Sequence, residues 1–245
     1  MKAAVIFARI GNRILSILAL MLILLMLMYG GYSLWDTFTL YQGAFTDSDL
    51  MKFKPTGEDV ENPTLKELQD MNSDVRGWIT IDDTHIDYPV VQGKTDMEYI
   101  NKDIYGEFSL SGAIFLDCRN RADFSDQYSL VYGHHMENGA MFGDIAEFED
   151  NSYFQKHTKG TLYLSGITYK IALFACVKTD AQDENIYNPN QWNRENIQIL
   201  FDSIRKQSVQ YREIGITADD SIIGLSTCAE TQTNGRIIVF GRLDK

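Results

Sequence analysis

The chain is poor in cysteine, with three in 245 residues. Three thiols cannot all pair internally, so an odd cysteine must be accounted for by packing or by chemistry. It is also short of positive charge: 22 Lys and Arg stand against 34 Asp and Glu, a formal charge of −12. Phosphate binding needs a basic face, so nucleic acid is excluded as a partner. No Gly-rich loop follows a strand-like run, which removes the usual nucleotide cradles. Internal repeats and low-complexity segments are missing too. Between residues 14 and 34 charge is absent altogether, and Leu, Ile, Met and Ala dominate.

A helix over that uncharged run spans about 30 Å, the thickness of a bilayer core. Lys2, Arg9 and Arg13 precede it and Asp36 follows. Positive charge on the near side predicts a cytoplasmic N-terminus, with the remainder outside. A cleaved signal peptide has a shorter apolar region and ends in a small-residue cleavage site. Here the run ends in Gly30-Gly31-Tyr32-Ser33-Leu34-Trp35, without an Ala-x-Ala pattern. The expectation is therefore an uncleaved anchor, with Tyr32 and Trp35 at the outer interface. The expected organisation is a cytoplasmic terminus at 1–13, a signal-anchor helix at 14–35, an extracellular linker with some helix at 36–62, and one folded domain at 63–245.

Within that domain, Pro63 opens a helix over 65–74, with Leu65, Leu68 and Met71 facing a core. From Gly77 onward the pattern is of short strands separated by turns. Strands are predicted at 78–81, 86–91, 112–116, 128–132, 161–165, 169–178, 222–227 and 237–243. Pro89 marks an edge or a bulge, and Gly166 turns a hairpin. A short helix is expected at 141–148. A longer one is expected at 190–207, with Trp192, Ile197, Leu200, Phe201 and Ile204 as its apolar stripe. Seven or eight strands in one domain point to a mainly β fold, a closed or nearly closed barrel that removes exposed edges.

Chemistry concentrates at two strand ends. One carries Tyr132-Gly133-His134-His135; the other carries Leu225-Ser226-Thr227-Cys228, with Arg236 eight positions further on. A thiol nucleophile, an imidazole to carry the proton and a guanidinium to hold an oxyanion are the parts of acyl transfer through a thioester. The amide N–H of Ala229, directly after the nucleophile, is a plausible second oxyanion donor. A free thiol titrates near 8.5 and an imidazole near 6.5, so in an unshifted site the reactive thiolate–imidazolium pair is a minority form. Bland readings compete. Cys118 and Cys176 read as packed thiols in strands. His134 alone could simply tie down a loop. Arg236 could be a charge guarding a strand edge. Adjacent strand residues point to opposite sides, so only one of His134 and His135 can face the cysteine. Tandem histidines hint at a metal, but their spacing is not that of a usual ligand set, and no metal is expected. Glu230 and Asp144 read as solvated carboxylates rather than orienting groups.

Taken together, these segments resemble the sortase family, specifically class B. The resemblance runs over residues 65–243. It rests on Leu225-Ser226-Thr227-Cys228 with Arg236 after it and Gly133-His134 before it. Asp74-Val75-Arg76-Gly77-Trp78-Ile79, Ile86-Asp87-Tyr88-Pro89-Val90-Val91-Gln92, Gly112-Ala113-Ile114-Phe115-Leu116-Asp117 and Tyr132-Gly133-His134-His135-Met136 with Met141-Phe142 also match. The resemblance implies a closed eight-stranded barrel with an N-terminal helix and a helix inserted before the cysteine strand. It implies a cysteine transpeptidase with Cys228, His134 and Arg236 catalytic, Ser226 and Thr227 on the substrate side, and no cofactor. The implied partners are secreted proteins bearing a C-terminal Asn-Pro-x-Thr-like sorting motif, and an amine from a peptidoglycan precursor. A pilus polymerase using a pilin lysine is the near alternative. An extracellular cell-wall cysteine hydrolase is a further one, although papain-like enzymes place the cysteine before the histidine. A binding or sensor barrel is the non-enzymatic alternative.

Overall fold

Inside a bilayer an uncharged apolar run can satisfy its backbone only within itself, and a helix does so. In the computed structural model, which describes residues 2–42, 44–46, 49–55, 62–228 and 235–245, helix α1 covers Lys2–Gln42. Its stretch Val5–Phe38 is long and apolar enough to cross a membrane, and none of it is buried in the protein. The chain divides into two compact units, Met1–Gln42 and Gly43–Lys245.

In the second unit a 3₁₀ turn at Leu50–Phe53 precedes α2, Pro63–Met71, whose proline stands at the first turn, where its missing N–H is not needed. Leu65 and Leu68 are fully buried, whereas Met71 is 56% exposed. Steps of three drift off a face that repeats every 3.6 residues, so the third member of the expected stripe turns to solvent. Strands β1 (Val75–Ile81), β2 (Asp87–Val91), β3 (Ile114–Leu116) and β4 (Tyr128–Tyr132) follow. A 3₁₀ turn at Gly143–Glu149 replaces the expected helix at 141–148 and leads into α3, Asn151–Lys156. The hairpin of β5 (Lys159–Leu164) and β6 (Ile167–Asp180) turns at Gly166, where φ is +86°, a backbone angle that glycine adopts without penalty. Then come α4 (Glu184–Tyr187), α5 (Ile197–Gln207), β7 (Ser208–Tyr211), β8 (Ser221–Cys228) and β9 (Gly235–Asp244).

The strands hydrogen-bond in the order β5-β1-β2-β3-β4-β8-β9-β6, and pairing of β5 with β6 closes the ring. This is the expected eight-stranded barrel. The ninth strand, β7, adds to β6 and is absent from the sequence-based expectation. β6 is long enough to serve both neighbours: Lys159–Leu164 pairs along its first half, and β7 pairs at Ala175, Cys176 and Val177. Pro89 does not sit on an edge strand, because β2 pairs with both β1 and β3. However, β3 joins β2 only at Val90 and Val91, which leaves the proline outside that ladder.

Two apolar layers clad the barrel. Leu65 and Leu68 of α2 join Val75, Trp78, Val91 and Phe115. On another side Ile197, Leu200, Phe201 and Ile204 of α5 pack with Phe174, Ile222, Ile238 and Phe240. The helix expected at 190–207 begins only at Ile197. Asn193 accepts from the Glu195 amide and Asn196 accepts from the Asn193 amide, local bonds that compete with a helical ladder. Trp192 still reaches the core, outside the helix, with its indole N–H donated to the Asn185 carbonyl. Because α5 covers the outside of β8, residues 222–227 are all buried, as in a strand covered on both faces.

Candidate active site

Strand pairing brings the two chemical segments together. β4 and β8 run parallel, with Tyr132 beside Ser226, and the Gly133 amide extends the ladder by donating to the Ser226 carbonyl at 3.1 Å. β8 and β9 run antiparallel, with Cys228 directly opposite Arg236. Gly133 is required by space as well as by position. A Cβ there would lie 2.5 Å from Ile114 Cδ1 and 2.7 Å from Phe142 Cγ, well inside contact distance. The chain therefore leaves β4 pressed against Ile114 and Phe142, and the amide of Phe142 fixes the His134 carbonyl at 3.0 Å.

A cavity of about 340 Å³ opens at this end of the barrel. It is lined by His134, Ser226, Thr227 and Arg236, together with Ile100, Tyr132, Arg119 and Tyr187. His134 Nε2 lies 2.8 Å from the Ile100 carbonyl oxygen. A carbonyl only accepts, so Nε2 carries the hydrogen, and Nδ1 is the nitrogen with a lone pair in the neutral ring. Among the described residues Arg236 makes one hydrogen bond, from Nη1 to the Gly235 carbonyl at 3.0 Å. Ser226 Oγ is buried and 3.0 Å from the Tyr187 hydroxyl. Thr227 Oγ1 is buried with no hydrogen-bond partner among the described residues. Ala229 and Glu230 lie outside the described residues.

Tyr187, Arg119 and the Ile100 carbonyl are groove-forming groups that sequence reasoning did not single out, and Tyr132, part of the strand-end segment, had been given no role. Tyr132 donates its hydroxyl to Asp117 Oδ2 at 2.9 Å. Burial, and next the Asp117 carboxylate, push its phenol far above the ordinary range, so it remains a donor. Asp117 and Arg119 stand in the turn that follows β3.

His135 faces elsewhere. It lines a second cleft of about 940 Å³ with His85, Asp144 and His157. Asp144 is not solvated as expected: it is 7% exposed and accepts from the His85 backbone N–H at 2.7 Å, with His85 Nδ1 at 3.0 Å. Cys118 and Cys176 are free thiols. Burial pushes the Cys176 thiol up to about 12. Burial also raises Cys118, followed by its hydrogen bond to Asp96. Asp96, Asp117 and Cys118 hold ligand atoms within 4.8 Å of one another, but Asp117 is already engaged by Arg119 and Tyr132.

The Sortase domain family model matches residues 79–244. Over 184 residues, 73% of each chain, the sequence is 34% identical to Sortase B of Listeria monocytogenes. Sortase B of Staphylococcus aureus is 28% identical over 241 residues, 96% of this chain and 98% of that one. The crystal structure of a Streptococcus pyogenes class B sortase involved in pilus biogenesis superposes with a TM-score of 0.66 at 44% identity, over 73% of this chain and 97% of that one. The chain belongs to the sortase family. Its relatives are class B enzymes, and sortases are cysteine transpeptidases.

Proposed function

We propose that this chain is a single-pass, membrane-anchored class B transpeptidase, with its N-terminus in the cytoplasm, residues 14–35 as the anchor and residues 63–245 as the catalytic domain outside the cell. Cys228 attacks the Thr carbonyl of an Asn-Pro-x-Thr-like sorting motif. The C–S bond forms, the amide bond after Thr breaks, and His134 delivers a proton to the departing amine. Arg236, with the Ala229 N–H, stabilises the oxyanion, while Ser226 and Thr227 border the bound peptide. An acceptor amine then attacks the thioester, gives its proton to His134 and releases the Cys228 thiolate. Atoms and charge balance without a cofactor.

The observation that carries this reading is the register. Residues opposite each other in an antiparallel ladder share one face of the sheet, and Cys228 is opposite Arg236. Gly133-His134 is tied to the same strand two residues earlier. The leading acceptor is a peptidoglycan-precursor amine, which fixes the protein to the wall. A pilin lysine is favoured by one observation, the 44% identity to a pilus-associated class B sortase. The test is incubation with a sorting-motif peptide library followed by intact mass measurement, with and without added amines. A thioester-mass adduct on wild type, and none on Cys228→Ala, is expected; an equal adduct on Cys228→Ala overturns the assignment.

A further inference from the structure

One wall of the groove is built as a closed ring of contacts among four segments. Arg119 grips Asp117 with two parallel bonds, Nε to Oδ1 at 2.8 Å and Nη2 to Oδ2 at 2.6 Å. Its outer edge reaches across to the β6–β7 connection: Nη2 donates to the Tyr187 carbonyl at 2.7 Å, with Nη1 3.5 Å from Asn188 Oδ1. Tyr187 returns to the barrel through its side chain. Its ring stacks on Tyr132 at 6.4 Å between centroids and 14° between planes, and its hydroxyl meets Ser226 Oγ at 3.0 Å. Tyr132 is Ser226's neighbour in the ladder and closes the ring through its bond to Asp117.

Neutralising Asp117 would need only a cation. The side chain of Asp117 is wholly buried, while that of Arg119 stays 37% exposed, so a lysine could meet that need. The arrangement uses more than charge. Tyr187 is the last residue of α4, and the final carbonyls of a helix lack donors of their own. A planar fork can hold a carboxylate with one edge and such a carbonyl with another, which an ammonium cannot reproduce.

We propose that Arg119 is a positioning residue. It latches the C-terminal end of α4 to the barrel, so that Tyr187 stands over Ser226 as a preformed wall of the peptide groove. The inference rests on the groove being the sorting-peptide site and adds the device that sets its shape. Ordering that wall in advance spares the ordering cost on binding, so the loss of the latch falls on KM.

The experiment compares steady-state cleavage of a sorting-motif peptide by wild type, Arg119→Lys, Tyr187→Ala and the double variant. Amide hydrogen exchange over 183–188 is followed in parallel. Arg119→Lys is expected to raise KM about tenfold, the scale of one charge-assisted hydrogen bond, with kcat changed less than about threefold. On the Tyr187→Ala background the same change adds nothing further, because Arg119 acts through Tyr187. Exchange over 183–188 rises in Arg119→Lys while the barrel strands keep wild-type protection. Asp117→Asn/Arg119→Met, which removes the buried charge together with its partner, repeats the pattern should the lysine variant fold poorly. An unaltered KM, a fall confined to kcat, or KM effects that multiply in the double variant overturn the latch. If wild type does not cleave the peptide at all, the sortase reading of the groove fails, and the exchange data alone decide the latch.

Discussion

Two of the three thiols, Cys118 and Cys176, have described surroundings. Cys176 is fully buried, its thiol pushed up to about 12. Cys118 is partly covered and raised by burial and by Asp96. Because the thiolate is the nucleophile, both are held in their inert form at neutral pH. Iodoacetamide applied to native protein should therefore modify one cysteine quickly. Peptide mapping should locate that label at Cys228, with Cys118 reacting more slowly and Cys176 only after denaturation. Fast labelling that survives in Cys228→Ala would sink the assignment of the nucleophile. The strand-end positions of the histidine, the cysteine and the arginine were legible in the sequence, and the ladder sets Cys228 opposite Arg236 with Gly133 tied to the same strand; their proposed roles rest on the resemblance. What residue types could not tell was which nitrogen of His134 carries the hydrogen. That depends on the Ile100 carbonyl, 2.8 Å from Nε2, and a backbone acceptor leaves no mark on composition.

At the scale of elements, apolar runs were read well where burial was continuous and poorly where it was not. β4 and the core of β8 are buried on both faces and stand out in sequence. β7 was missed because Ser208-Val209-Gln210-Tyr211 is only four residues long, none of them buried, with its valine 45% accessible. The insertion before the cysteine strand was legible as apolar periodicity but not as two helices, because its Asn-rich start hydrogen-bonds to itself. Tyr187 went unnoticed because α4 is a single turn, too short for any period. α5 carries the stability argument for this region. Leu200 is fully buried in the layer over β6, β8 and β9, so Leu200→Ala should cost about 2–5 kcal/mol, from lost transfer energy and the cavity left behind. Urea unfolding followed by tyrosine and tryptophan fluorescence measures it. A loss under about 1 kcal/mol would mean that the α5 layer is not part of the cooperative core.

The molecule as a whole combines a closed barrel, a formal charge of −12 and several buried neutral acids, and this fixes how it responds to alkali. Burial raises the Tyr88 phenol to about 12, and it raises Cys176 from 9.0 to about 12. Tyr88 donates to the Ala44 carbonyl at 3.1 Å and accepts the Met141 amide at 2.8 Å. In both groups the folded state holds its proton more tightly than the unfolded chain does. Below the unfolded values both states are protonated and the contribution is fully present. As pH rises past about 9 the unfolded chain loses protons first, so stability falls with pH until the folded groups titrate near 12. Urea midpoints of the protein should therefore be level between neutral pH and about 9 and decline steadily above it. Cys176→Ala and Tyr88→Phe should each begin from lower stability at neutral pH, through the lost packing or hydrogen bond, yet decline less steeply. The difference in slope, not in starting point, isolates the titrating group. Parallel declines in wild type and both variants would assign alkaline unfolding instead to the repulsion of a chain already rich in negative charge.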